Sequence, residues 1–174
     1  SSDAAATIKG LLEYWNTTIA PENLKTILQS LGSDVSACYE ATPLIMRGVG
    51  DVILPAPALP ALPLVLVYPN KPSSTPAAYK AFKGPFSQDA AVPASFGSVD
   101  DLVGFLKTQA NDLCVPAVHS VPEIDEVLTL MREEDGILLP QMSGSGSACF
   151  GIFKTDAHAE RAAESLSRSY PEWW

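Results

Sequence analysis

Apolar residues recur at helical spacing in five long stretches of the chain. Ala4, Ala5, Ile8, Leu11, Leu12 and Trp15 predict one amphipathic helix, with Ser1, Ser2 or Asp3 available as its N-cap. A second helix opens at Pro21, which suits a first turn, shows Leu24, Ile27, Leu28 and Leu31 on one side, and ends at Gly32. Ser98 with Asp101 makes a capping-box-like start for a third, bearing Leu102, Phe105 and Leu106. The fourth opens at Ser120 with Pro122 and Glu123, carries Ile124, Val127, Leu128 and Met131, and stops at Gly136. Thr155 or Asp156 caps a fifth helix holding Ala159, Ala162, Ala163 and Leu166.

Strands show a different signature. Leu64 to Tyr68 is unbroken and rich in β-branched residues, which predicts a buried strand. Leu44-Ile45-Met46 and Val52-Ile53 flank a Gly48-Val49-Gly50-Asp51 turn, and Ile137-Leu138-Leu139 and Cys149 to Phe153 flank a run of Gly and Ser. A short helix is expected from Pro76 to Phe82, and the aperiodic stretch from Lys83 to Gly97 reads as loop. Pro55, Pro57, Pro60 and Pro63 form a stiff connector, so the chain is expected to divide into residues 1–58 and 59–174. Beyond the connector the order is strand, helices, two strands, helix. That order predicts an α+β sandwich with helices on one face of an antiparallel sheet.

Composition narrows the partners. A chain of 174 residues, 47% hydrophobic, is one largish domain or two small ones with a proper core. The net charge of −9 and pI near 4.5 exclude nucleic acid and anionic membrane surfaces as partners. A small anion held by a local site remains compatible with that charge. Cys38, Cys114 and Cys149 are odd in number and far apart, which predicts reduced, structurally buried thiols in a cytoplasmic protein. No apolar run is long enough for a membrane span, and no signal-peptide pattern is present. His158 falls on the polar side of its helix and is expected to be solvated, while His119 sits near a cap. Neither has a second ligand at useful spacing, so no metal centre is expected, and without a G-x-S-x-G elbow neither is a Ser-His-Asp triad. The ends, Ser1-Ser2-Asp3 and Glu172-Trp173-Trp174, read as cuts in a longer chain or as limits of its ordered part.

Three polar clusters are candidates for chemistry. Gly144, Ser145 and Gly146 lie in a loop without bulk, where successive N–H groups can form an anion-holding concavity; the alternative is a plain glycine-rich hairpin turn. Ser1 and Ser2 stand at a helix start, where free N–H groups favour phosphate, or serve as ordinary caps. Asp34, just past a helix stop, is either a base for a hydroxyl proton or a cap for the next turn. Asn111-Asp112 reads as a turn or as support for a phosphate loop, and Ser73-Ser74-Thr75-Pro76 as a helix start whose hydroxyls could touch a ligand.

These residues carry a resemblance. Ser1-Ser2-Asp3-Ala4-Ala5-Ala6 resembles the end of the Gly-Gly-Gly-Ser-Ser-Asn/Asp-Ala-Ala phosphate loop of GHMP kinases. Leu31-Gly32-Ser33-Asp34-Val35 with Gly48-Val49-Gly50-Asp51 is similar to the Leu-Gly-Ala-Asp-Val and Gly-x-Gly-Glu blocks of the branch that acts on CDP-methylerythritol. Asn111-Asp112-Leu113 and Met142 to Gly146 match two further blocks in the same order, so the resemblance spans nearly the whole chain. It implies the end of an N-terminal ATP-binding domain followed by a ferredoxin-like α/β sandwich with an antiparallel sheet. It also implies transfer of the γ-phosphoryl group of ATP, with Mg²⁺, to the 2-hydroxyl of CDP-methylerythritol in non-mevalonate isoprenoid synthesis, by a monomer or homodimer. Asp34 would be the catalytic aspartate, Ser1 and Ser2 the end of the ATP loop, and Gly144, Ser145 and Gly146 a glycine loop facing the cleft. Ser36 stands where the family has Pro, and Asp51 and Cys114 stand where it has Glu. The family's strand with its catalytic lysine, its cytidine-holding residues, the glycines before Ser1 and a last strand after Trp174 lie outside the chain, so the chain alone is expected to lack turnover. The rivals are another GHMP small-molecule kinase and a non-catalytic α+β interaction module.

Overall fold

Helical spacing at the start of the chain becomes three helices and a hairpin. In a computed structural model that describes residues 1–174, α1 is Ser2–Tyr14, α2 is Pro21–Leu31 and α3 is Val35–Glu40. Strands β1 (Leu44–Arg47) and β2 (Val52–Pro55) then pair antiparallel, with Leu44 opposite Pro55 and Arg47 opposite Val52. Ala5, Leu28 and Val35 are the buried centre of this part, with Ile8, Leu24, Cys38 and Tyr39 packed around them. Because that core is small, Leu11, Trp15 and Leu31 are exposed although their spacing puts them on apolar faces. Helix α3 has only six residues, too few to show a period in sequence, and ends at Ala41 in left-handed backbone with φ 54°. These residues, Ser1–Leu59, form one compact unit, and Pro60–Trp174 form a second.

The second unit is organised around β5 (Cys149–Phe153), the middle strand of a three-stranded antiparallel sheet. Its neighbours are β3 (Leu64–Val67) and β4 (Ile137–Met142). Cys-Phe-Gly-Ile-Phe is apolar on both sides of the pleat, so both faces of the sheet need cover. On one face Cys149 and Phe153 join Val65, Val67 and Met142 against α7 (Glu123–Glu133) and α8 (Asp156–Ser169). On the other, Ile152 and Leu139 are covered by Val103 and Leu106 of α5 (Val99–Lys107). The expectation of helices on one face is therefore corrected: α5 lies opposite α7 and α8. Gly151 leaves the space on the first face, since a Cβ there would stand 3.0 Å from Ile137 and Phe153 side-chain atoms.

Two further helices complete the unit, α4 (Thr75–Ala81) and α6 (Cys114–Ser120). Ser74, Ser98 and Thr155 each cap a helix through the side-chain oxygen, accepting from Ala77, Asp101 and His158 backbone N–H. Helix α6 went unread in sequence because seven residues containing Pro116 carry little pattern. At the C-terminal end, Tyr68 and Trp174 exchange backbone hydrogen bonds of 2.6 and 2.9 Å, and Trp173 stacks on Tyr170 with ring centres 4.1 Å apart. No helix is long and apolar enough to cross a membrane.

Two side-chain expectations change. Cys149 alone is fully buried; Cys38 and Cys114 are only half-buried, on the rims of their clusters. Burial pushes the Cys149 thiol up to about 12, reinforced by Cys114, and burial also raises Cys114 despite the opposing charge of Arg132. Neither is a thiolate nucleophile. His158 is not a solvated surface residue. Its ring rests on Gly136, where a Cβ would come within 2.1 Å of it, with Nδ1 2.6 Å from Thr155 Oγ1 and Nε2 3.4 Å from Asp135.

Truncating the central strand at Phe153→Ala should cost about 3–5 kcal/mol, read as a lowered denaturation midpoint of the folded protein. A second expectation concerns the long 82–98 loop, tied by Asp112, which accepts from Ser87 N–H at 2.7 Å and Ser87 Oγ at 2.6 Å. The hydroxyl first, then the N–H, hold this carboxyl below its ordinary value of 3.8. A depressed carboxyl keeps its tether above the unfolded value and loses it as pH falls through the folded one. The Ser87 amide resonance should thus titrate with a midpoint below 3.8; a midpoint at or above that value, or a resonance unchanged in Asp112→Asn, would contradict the tether.

Candidate functional site

The glycine–serine loop closes the hairpin between β4 and β5, from Ser143 to Ala148, with Met142 opposite Cys149 at its base. Ser143 N–H donates to Ala148 O at 2.9 Å and Gly146 N–H to Ser143 O at 3.0 Å. Gly146 adopts φ +85°, and a Cβ there would stand 3.0 Å from Ile124 Cδ1 and Met142 Sδ, so the turn lies flat on the core only as glycine.

Its carbonyls are tied from two sides. Asn111 Nδ2 donates to Met142 O at 3.1 Å and Gly144 O at 2.8 Å, while Asn111 Oδ1 accepts from Leu113 N–H at the start of α6. From the segment before α4, Ser73 Oγ donates to Ser145 O at 2.9 Å, and Thr75 Oγ1 lies 2.7 Å from Ser145 Oγ. Ser147 Oγ donates in turn to Lys71 O. Because a trans peptide sets its N–H opposite its C=O, the pinned Gly144 carbonyl turns the Ser145 N–H away from Asn111. The N–H groups of Gly144, Ser145, Ser147 and Ala148 meet no acceptor within the chain. Neutral donors left free on an immobilised small-residue loop are suited to an anion.

This resolves several alternatives left open by the sequence. Gly144, Ser145 and Gly146 are more than a bare turn, since the side chains of Asn111, Ser73 and Thr75 brace the loop. Asn111 does support the loop, whereas Asp112 beside it holds Ser87 instead. Ser74 caps α4, and its neighbours Ser73 and Thr75 brace the loop. That bracing was missed in sequence, because residues 70 or more positions apart leave no local pattern.

In the first unit, Ser1 precedes α1 and makes no side-chain capping bond; Ser1, Ser2 and Asp3 are all exposed. The N–H groups of the first turn are thereby left to other partners. Asp34 occupies the N-cap position of α3 with backbone φ −90°, but its carboxylate makes no cap bond. Its one hydrogen bond comes from Ser33 Oγ at 3.3 Å, and the side chain is exposed. Capping therefore does not account for this carboxylate. Packing joins the two features: Ala5, one turn into α1, and Val35, next to Asp34, share one buried cluster. Ser1, Ser2 and Asp34 are thus held on one small core, while Gly144, Ser145 and Gly146 belong to the second unit.

No group of three or more Asp, Glu, His or Cys residues is arranged to hold a metal ion. A cavity of about 570 Å³, lined by Phe82, Asn111, Val115 and His119 among others, opens beside the Asn111 brace.

Comparisons with known proteins bear on the fold and the family. Residues 101–172 match the family model described as GHMP kinases C terminal. Over 174 residues the whole chain is 42% identical to the 4-diphosphocytidyl-2-C-methyl-D-erythritol kinase of Paramagnetospirillum magneticum, covering 61% of that protein. It is 41% identical over 175 residues to the kinase of the same name from Agrobacterium fabrum, covering 58%. A crystal structure of 4-(cytidine 5'-diphospho)-2C-methyl-D-erythritol kinase superposes on 99% of the chain with a TM-score of 0.77 and 32% identity, covering 62% of that structure. The chain spans about three fifths of the length of the relatives it matches. With an antiparallel α+β unit of the matching fold, residues 101–172 match the C-terminal family of the GHMP kinases, and the chain is similar over its full length to 4-diphosphocytidyl-2-C-methyl-D-erythritol kinases.

Proposed function

We propose that this chain is part of a cytoplasmic ATP-dependent kinase that phosphorylates the 2-hydroxyl of CDP-methylerythritol. The observation that carries the reading is the set of four N–H groups at Gly144, Ser145, Ser147 and Ala148 that meet no acceptor in the chain while the loop around them is tied down. Phosphoryl transfer depends mainly on positioning and on electrostatic stabilisation of the phosphate oxygens. Fixed neutral donors supply both, and they do so without a basic cluster in a chain of net charge −9.

Two tasks fall to separate residues. Gly144, Ser145 and Gly146 hold phosphate oxygens through backbone donors, and Ser1 and Ser2 add the free end of α1. Asp34, exposed and uncommitted to capping, accepts the proton of the attacking hydroxyl. ATP supplies the transferable phosphoryl group and, with Mg²⁺ on its phosphates, an ADP leaving group.

In the full-length enzyme, Asp34→Asn should lower kcat about 10²–10⁴-fold with little change in ATP affinity, the range of a lost general base. A loss of only a fewfold would return Asp34 to a structural role. A second variant tests the loop. Asn111→Asp would set a carboxylate against two carbonyl oxygens, removing both braces, and should weaken ATP-analogue binding about 10-fold or more by titration calorimetry. Unchanged affinity in a folded variant would contradict the phosphate assignment. Wild-type enzyme that binds neither ATP analogue nor CDP-methylerythritol would indicate a non-catalytic module, and phosphorylation of a different alcohol would indicate another GHMP kinase.

A further inference from the structure

The β1–β2 turn does more than reverse the chain. Gly48 and Gly50 both have positive φ, +66° and +83°, and Val49 N–H donates to Asp51 Oδ1 at 3.0 Å to close the turn. The two glycines face different neighbours. The nearest atoms to a Cβ on Gly48 would be those of the Asp51 carboxylate, the end of a side chain. A Cβ on Gly50 would stand 2.4 Å from the carbonyl oxygen of Ser33 and 3.0 Å from Ser33 C and Cα, all backbone. Gly50 is therefore the surface against which the Ser33 peptide rests.

Ser33 immediately precedes Asp34. Gly32 O accepts from Val35 N–H at 3.1 Å, and Asp34 O accepts from Cys38 N–H at 3.1 Å, so the segment is a short rigid lead into α3. Val35 is anchored in the core at 1% exposure. Between that anchor and the Gly50 contact, the backbone of Asp34 has little freedom. Its carboxylate, with one 3.3 Å bond to Ser33 Oγ, depends on the backbone for its placement.

We infer that Gly50 is a positioning residue for the Asp34 carboxylate, acting through van der Waals contact with the Ser33 peptide. The inference rests on the reading of Asp34 as the base. Relieving a 2.4 Å approach to an ordinary contact displaces that peptide, or the turn, by about 1 Å. A misplacement of that size near a reacting group costs about 10²-fold in rate.

The test is carried out in the full-length enzyme with Gly50→Asn, Gly48→Asn and Asp34→Asn. Asparagine tolerates left-handed backbone better than other side chains, so both turn variants keep the strain of positive φ small, but only Gly50→Asn puts a Cβ against Ser33. Gly50→Asn should lower kcat about 10–100-fold with KM for ATP within about twofold, while Gly48→Asn stays within about threefold of wild type. Amide shifts of Ser33, Asp34 and Val35 should move in Gly50→Asn and stay in place in Gly48→Asn. If Asp34→Asn is slow but Gly50→Asn turns over like Gly48→Asn, the inference fails and the base assignment survives. If Asp34→Asn is itself fast, both fail. Should Gly50→Asn lose all turnover, the shifts decide: changes confined to Ser33–Val35 support positioning, and changes spread through the chain, or loss of the folded spectrum, overturn it.

Discussion

A central strand that is apolar on both faces dictates the architecture of the second unit. β5 cannot lie on a surface, because Cys149 and Phe153 point one way and Phe150 and Ile152 the other. Helices α7 and α8 must cover one side and α5 the other, at roughly 25 cal/mol for each Å² of apolar surface removed from water. The same requirement makes the β4–β5 hairpin the most firmly held element of the unit. A loop at the end of such a hairpin inherits its rigidity. Flexible glycine then becomes compatible with a fixed geometry, which a phosphate-holding loop needs.

That rigidity is completed by side chains whose charge is zero. Asn111, Ser73, Thr75 and Ser147 bind carbonyls, hydroxyls or backbone of the loop or its neighbours, leaving N–H groups as the available functionality. An acidic chain that displayed lysines for the same purpose would have to counter its own field. Dipoles avoid the conflict, because neutral backbone donors attract an anion at short range while the long-range potential stays negative. Within the first unit, the exposed Asp34 carboxylate and the start of α1 are held on one core through Ala5 and Val35.

Much of this was legible in the sequence. Unbroken apolar runs beside turn residues located every strand and period-3.6 spacing the longer helices, and the Ser98, Thr155 and Pro21 starts follow from residue chemistry at helix ends. Helices α3 and α6 were not legible, since six or seven residues hold too few apolar positions to define a period. The face covered by α5 was missed because the order of elements does not say on which side a crossover lands. The candidate residues themselves were legible in sequence as small or acidic positions, yet their supports were invisible. Asn111 reaches the loop across 31 and 33 positions, and Gly50 reaches Ser33 across the whole of α3 and β1. Such contacts exist only after the chain has folded.

The bracing of the glycine–serine loop has a consequence for how the fold is reached. Its struts come from Lys71 to Thr75, from Asn111 and from the hairpin itself, three regions far apart in the sequence. Closing loops of that length is paid in chain entropy before any contact rewards it, so the loop is finished late, after the sheet and helices have docked. A nucleotide gripped there would bind only the completed chain and draw the population toward it. With phosphate held there, assembly and ligand capture would be one thermodynamic event, and the loop would double as a sensor of whether the domain is whole.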